Sequence, residues 1–101
     1  MLIGYDIDGV ITEGKLPKSG DIIITGRSWE EAPETYKMLW KMGIFNVVFF
    51  NPIIKENKGL VESAVWKSEI INKLRVDFFY EDDPDQIKIM QYSTDCNIIQ
   101  V

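Results

Sequence analysis

Asp6 and Asp8 stand one residue apart at the end of a short apolar run, Leu2-Ile3-Gly4-Tyr5, and Gly9 follows at once. Alternate side chains of an extended strand share a face, so the two carboxylates would lie together if the strand continued. Gly9 marks a sharp turn there instead. Two neighbouring carboxylates repel, and a divalent cation beside them is the simplest remedy. Three further polar groups follow in the chain: Thr25-Gly26 after Ile22-Ile23-Ile24, Lys67 within Trp66-Lys67-Ser68, and Glu81-Asp82-Asp83 after Phe78-Phe79-Tyr80. Together these residue types supply what phosphoryl transfer needs. A carboxylate can attack phosphorus and form an aspartyl-phosphate. Oxygen ligands can hold a Mg2+ that clamps a phosphoryl oxygen. A hydroxyl, backbone amides and an ammonium can hold the remaining oxygens.

These groups converge only if the elements beneath them are parallel strands. Leu2 to Tyr5 reads as a short buried strand, and residues 9–21, with Gly14, Pro17 and Gly20, as a loop or short hairpin. Asp21 to Gly26 is a second strand, apolar on both faces and therefore parallel in type. Ser28-Trp29-Glu30-Glu31 has the capping-box form, and helical spacing then runs to Gly43, with Pro33 either starting the helix or bending it. Phe45 to Phe50 reads as the third strand, closed by Asn51-Pro52, and a polar loop runs through Lys58-Gly59. Ser63 is placed to cap a helix reaching Leu74, which puts Lys67 in or near its first turn. Val76 to Tyr80 is the fourth strand, and Asp83-Pro84 a cap and first-position pair for a helix to about Tyr92. Asn97 to Val101 closes the chain as a short strand. Alternating strands and helices predict a single three-layer α/β/α, Rossmann-like domain over residues 1–101, with a five-stranded parallel sheet in the order 5-4-1-2-3. Such sheets bind ligands at the carboxyl ends of their strands, where all the polar groups fall.

Composition narrows the chemistry. With 101 residues, 46% hydrophobic, the chain suits one small globular domain. It has no histidine, which excludes histidine-based acid/base, triad and zinc chemistry. A formal charge of −5 disfavours stable nucleic-acid binding. The single cysteine, Cys96, forbids an internal disulfide and suits a reducing compartment. No run is long and apolar enough to span a membrane, and no signal-peptide pattern stands at the start. A cytoplasmic protein is expected.

Taken in order, the polar groups make the chain similar to the haloacid dehalogenase superfamily of phosphotransferases. Asp6-Ile7-Asp8-Gly9-Val10 resembles its D-x-D-G-[TV] first motif, and Ile22-Ile23-Ile24-Thr25-Gly26-Arg27 its second. Lys67 sits where the lysine of the third is expected, and Phe78-Phe79-Tyr80-Glu81-Asp82-Asp83-Pro84 resembles the acidic fourth. Each group alone has an ordinary explanation as a turn, a strand end, a surface lysine or a charged helix start. The four in sequence cover essentially the whole chain.

The resemblance implies a Mg2+-dependent phosphomonoester hydrolase. Asp6 would be the nucleophile, and Asp8 the acid that protonates the leaving group and then activates water. Thr25, Gly26 and Lys67 would bind the phosphoryl oxygens. Asp6, Asp8 (through its backbone carbonyl) and Asp82 would hold the metal. Asp83, Asp85 and Arg27 are secondary candidates, and the ligand within Glu81-Asp82-Asp83 stays open. Two departures stand out. Residues 9–21 carry no helical pattern where relatives place a helix, and neither that loop nor residues 51–62 has room for a cap domain. A capless site implies a phosphorylated small molecule or macromolecular end as substrate, or closure by a second subunit in a homo-oligomer. Alternatives are a catalytically weak Mg2+- or phosphate-binding or interaction module, and a phosphatase of nucleotide or polynucleotide ends. A receiver domain is disfavoured, because its acceptor aspartate would follow the third strand, where Asn51-Pro52 stands.

Overall fold

The computed structural model describes residues 1–53, 56 and 59–101. Its strands are β1 (Ile3–Tyr5), β2 (Ile22–Ser28), β3 (Val48–Asn51), β4 (Phe78–Glu81) and β5 (Asn97–Gln100). Its helices are α1 (Ala32–Lys41), α2 (Leu60–Leu74) and α3 (Pro84–Ser93), with single 3-10 turns at Ile11–Glu13 and Trp29–Glu31. All strand pairs are parallel, in the order β3-β2-β1-β4-β5, which read from the other edge is 5-4-1-2-3. The architecture is α/β and compatible with a Rossmann-like fold. Among the described residues no helix is long and apolar enough to cross a membrane.

Two apolar layers sandwich the sheet. Tyr5, Ile23, Val48 and Phe50 pack with Ala32 and Leu39 of α1 on one face. Ile22, Ile24 and Phe79 pack with Ile71 of α2 and Met90 of α3 on the other. Strand alternation produces this division: in β2 the side chains of Ile22 and Ile24 go one way and that of Ile23 the other. No helix joins β1 to β2. The connection instead turns once as a 3-10 helix, and Val10 and Ile11, both fully buried, occupy the core beside α1.

Several boundaries differ from the sequence reading. β3 begins three residues later than the pattern of 45–50 implies, because Phe45 and Val47 are exposed, and it takes in Asn51. β4 likewise starts at Phe78 and includes Glu81. α2 starts at Leu60 with Gly59 as its N-cap, so Ser63 lies inside the helix and caps nothing. Lys67 is then the eighth helical residue, two turns beyond the start. The capping box at Ser28 is present, but it opens the 3-10 turn that precedes α1, and Pro33 sits in the first turn of α1 without bending it. Asp83 caps α3, accepting from the Asp85 and Gln86 amides. The polar loop expected through residues 58–59 includes 54, 55, 57 and 58, which lie outside the described residues.

The central strand depends on a glycine for close packing. Gly4 pairs with Phe79, and a Cβ at Gly4 would lie 2.8 Å from the buried Phe79 ring. Gly4→Ala is expected to cost about 1–3 kcal/mol, since a buried ring cannot give way freely. The measurement is a lower urea midpoint at unchanged m-value. An unaltered midpoint would mean that the ring moves aside.

Candidate functional site

The register of β1 and β4 assembles the site. Gly4 pairs with Phe79 and Tyr5 with Tyr80, so Asp6 comes level with Glu81, and the Asp6 amide donates to the Tyr80 carbonyl at 3.1 Å. Both carboxylates therefore project to the face covered by α2 and α3. Lys67 arrives there from α2 and is 1% exposed. Its ammonium donates to Glu81 Oε1 at 2.7 Å, Gln86 Oε1 at 3.0 Å and Asp6 Oδ2 at 3.2 Å. These three bonds use all three donors of the group. Asp6 Oδ1 accepts from the Ile7 amide at 2.8 Å, and Glu81 Oε2 from the Asp82 amide at 3.1 Å.

Burial works against the Lys67 charge, but Asp6 and Glu81 outweigh it and the ammonium is held above its ordinary pKa. One cation does not neutralise two buried carboxylates. Burial first, then the negative charge of Asp6, pushes Glu81 up to about 8, with Lys67 pulling the other way. The cluster thus favours a single net carboxylate beside Lys67 at neutral pH, with Glu81 hydrogen-bonded to Asp6.

Asp6, Glu81 and Asp82 each offer a carboxylate oxygen within 4.8 Å of the others. Gly9 makes room for the third: it stands at φ +79°, and a Cβ there would overlap the Asp82 carboxylate. The pocket above holds about 350 Å3 and is open to solvent. Five carboxylates line it (Asp6, Asp8, Glu81, Asp82 and Asp83) against Lys67 and Arg27, a formal charge of −3. Hard oxygen donors with this excess of negative charge fit a Mg2+ ion.

The other candidate residues are placed as follows. Asp8 lies beyond the end of β1 with its side chain 62% exposed, and Arg27 holds it through Nε at 3.0 Å and Nη2 at 2.8 Å. Arg27 also donates to Thr35 Oγ1 at 3.1 Å, which anchors the guanidinium to α1. Thr25 is fully buried and its hydroxyl accepts the Arg27 amide at 3.1 Å; it shares strand parity with Ile23, on the α1 face, and does not line the pocket. Gly26 does line it, beside Ser63 and Lys67. Asp83 lines the pocket too, yet its carboxylate serves the α3 cap, and Asp85 lies exposed outside the lining. The sequence reading gave Glu81 little weight, and it is fully buried at the centre. It did not name Gln86 at all. The signal was present, because Gln86 stands three residues after the Asp83 cap, where a capping-box glutamine turns back to the helix start; here it accepts from Lys67. Ser63 points at Asn51, whose Nδ2 donates to its hydroxyl at 3.3 Å.

Removing the cation leaves two buried carboxylates facing each other, so Lys67→Met is expected to destabilise the fold by about 3–5 kcal/mol. Chemical denaturation checks this, and a change below 1 kcal/mol, roughly the value of an exposed pair, would refute it. Glu81 generates a pH dependence. Its folded pKa of about 8 lies above the ordinary 4.5, so between those values the folded chain keeps a proton that the unfolded chain has lost. Stability in chelator should therefore fall as pH rises through that window, and Glu81→Gln should flatten the fall. Thermal melts between pH 5 and 8.5 read it; a slope unchanged in Glu81→Gln would assign it to other groups.

Comparisons with family models, with curated proteins and with solved structures give no match to this chain.

Proposed function

We propose that this chain is a Mg2+-dependent phosphomonoester hydrolase of the haloacid dehalogenase type, acting through an aspartyl-phosphate on Asp6. The observation that carries the reading is one carboxylate, Asp6, held against a buried ammonium while it shares a 4.8 Å cluster with Glu81 and Asp82 at the carboxyl edge of a parallel sheet. The Ile7 amide and Lys67 hold the two oxygens of Asp6 and fix the direction of attack. Asp6 attacks phosphorus, the ester oxygen leaves with a proton from Asp8, and water deprotonated by Asp8 then releases phosphate and restores Asp6.

The pocket is lined by more acids than cations, and this excess of negative charge repels a phosphate ester, which is the physical reason for a divalent cation in this reading. When bound, Mg2+ would supply charge neutralisation and polarise a phosphoryl oxygen. Asp6, Asp82 and the Asp8 backbone carbonyl would hold it, and Glu81 lies beside Asp6 and Asp82. Lys67 and the Gly26 backbone take the phosphoryl oxygens. The Thr25 hydroxyl, turned to the Arg27 amide, orders that loop instead, and Ser63 is the hydroxyl on the pocket wall. The open pocket admits a small phosphoester or a macromolecular end, in the reducing aqueous setting of the cytoplasm.

A second reading, a catalytically weak domain that binds Mg2+ or phosphate, has its own support. Arg27 engages both oxygens of Asp8, so that pair must open before Asp8 can move a proton. Lys67 must likewise exchange Gln86 or Glu81 for a phosphoryl oxygen.

Purified protein is expected to hydrolyse p-nitrophenyl phosphate with Mg2+, and to lose the activity in EDTA and in Asp6→Asn. Arg27→Ala should change the rate at least severalfold by releasing Asp8. Beryllofluoride with Mg2+ should raise the melting temperature of the parent and leave Asp6→Asn unmoved. Stabilisation without turnover on a broad phosphoester panel would select the binding reading; neither response would exclude both.

A further inference from the structure

The far edge of the sheet is built for contact. Among the described residues β3 pairs with β2 alone, so its other side is the edge of the sheet. Residues 44–51, Ile-Phe-Asn-Val-Val-Phe-Phe-Asn, contain no charge in a chain of net −5, and no proline interrupts them. Soluble proteins usually protect such an edge with lysine, proline or a bulge. Phe45 is 74% exposed, Val47 61% and Trp40 of α1 54%. Trp40 stacks on Tyr36 at 5.6 Å, and Tyr36 meets Phe50 edge-on at 5.4 Å, so helix and strand edge form one surface. A groove lined by Tyr36, Trp40, Phe45 and Val47 runs between them.

We infer that this face joins two copies of the chain in a two-fold dimer, with β3 antiparallel to β3 of its partner. Two observations favour a second copy as occupant. At about 150–250 Å2 per aromatic side chain, the exposed parts of Trp40, Phe45 and nearby Trp29, itself 60% exposed, present about 400 Å2. That is the apolar centre of the roughly 800 Å2 per partner that a stable interface buries. Two chains of the same strong negative charge can approach only through a surface that carries little of it, and this edge carries none. The dimer is independent of the proposed chemistry, because it leaves the carboxyl-end pocket open.

Sedimentation equilibrium tests it. The expected mass is twice 11.7 kDa at micromolar protein. Val47→Lys and Phe45→Glu, both at exposed positions, should weaken the dimer at least tenfold while circular dichroism and melting of the dilute monomer stay unchanged. A monomer at every concentration, a dimer indifferent to Val47→Lys and Phe45→Glu, or an open series of larger species would each overturn the proposal.

Discussion

A buried lysine holds the carboxyl edge of this protein together. Lys67 brings its ammonium into a site 1% exposed and spends all three donors there, on Glu81, Gln86 and Asp6. A lone buried ammonium would be untenable, and so would Asp6 and Glu81 without it. The cluster therefore ties four elements to one point: the end of β1, the end of β4, the middle of α2 and the first turn of α3. It also sets the state of Glu81, whose pKa burial first, and then the negative charge of Asp6, push up to about 8. Stability and the proposed chemistry rest on the same charges.

The two aspartates of the opening motif end in different circumstances. Asp6 is buried and held by a backbone amide and Lys67; Asp8 is solvent-facing and held by Arg27. Because the strand stops at Tyr5 and the chain turns at Gly9, the two side chains do not share the strand face that continued alternation would have given them. Gly9 then matters for a second reason: the space of its missing side chain is filled by Asp82, and this admits a carboxylate from the residue just after β4 to the cluster. In the proposed hydrolase, separated surroundings suit separated roles, attack by one acid and proton movement by the other.

Most of the scaffold was legible in the chain, because apolar runs, glycines and caps are local signals. Asp83-Pro84 opening α3 and the capping box at Ser28 are examples. Boundaries were less so. Phe45 and Val47 belong to the pattern of a strand but stand outside one: the register with β2 starts at Ile23 and Val48, and Val47 contributes a carbonyl to the Ile23 amide just before it. Ser63 has the chemistry of a cap, yet α2 begins a turn earlier at Leu60, and the serine faces Asn51 within the fold. The β1–β2 connection carries no helical pattern, and buried Val10 and Ile11 occupy the core there.

The sequence by itself determined the strand–helix alternation, the absence of histidine and of an internal disulfide, the acids available at strand ends and a lysine on the second helix. Those are properties of residue identity and near neighbours. Only the tertiary structure decided which of them meet. Glu81 rather than Asp83 joins Asp6 because the parallel register sets it level with Asp6, while the carboxylate of Asp83 is taken by a helix start. Gln86 joins because α3 packs against α2, and Arg27 reaches Asp8 across 19 positions of chain. The Thr25 hydroxyl is turned from the pocket by strand parity. Each outcome depends on distances between segments remote in sequence, which no local pattern encodes.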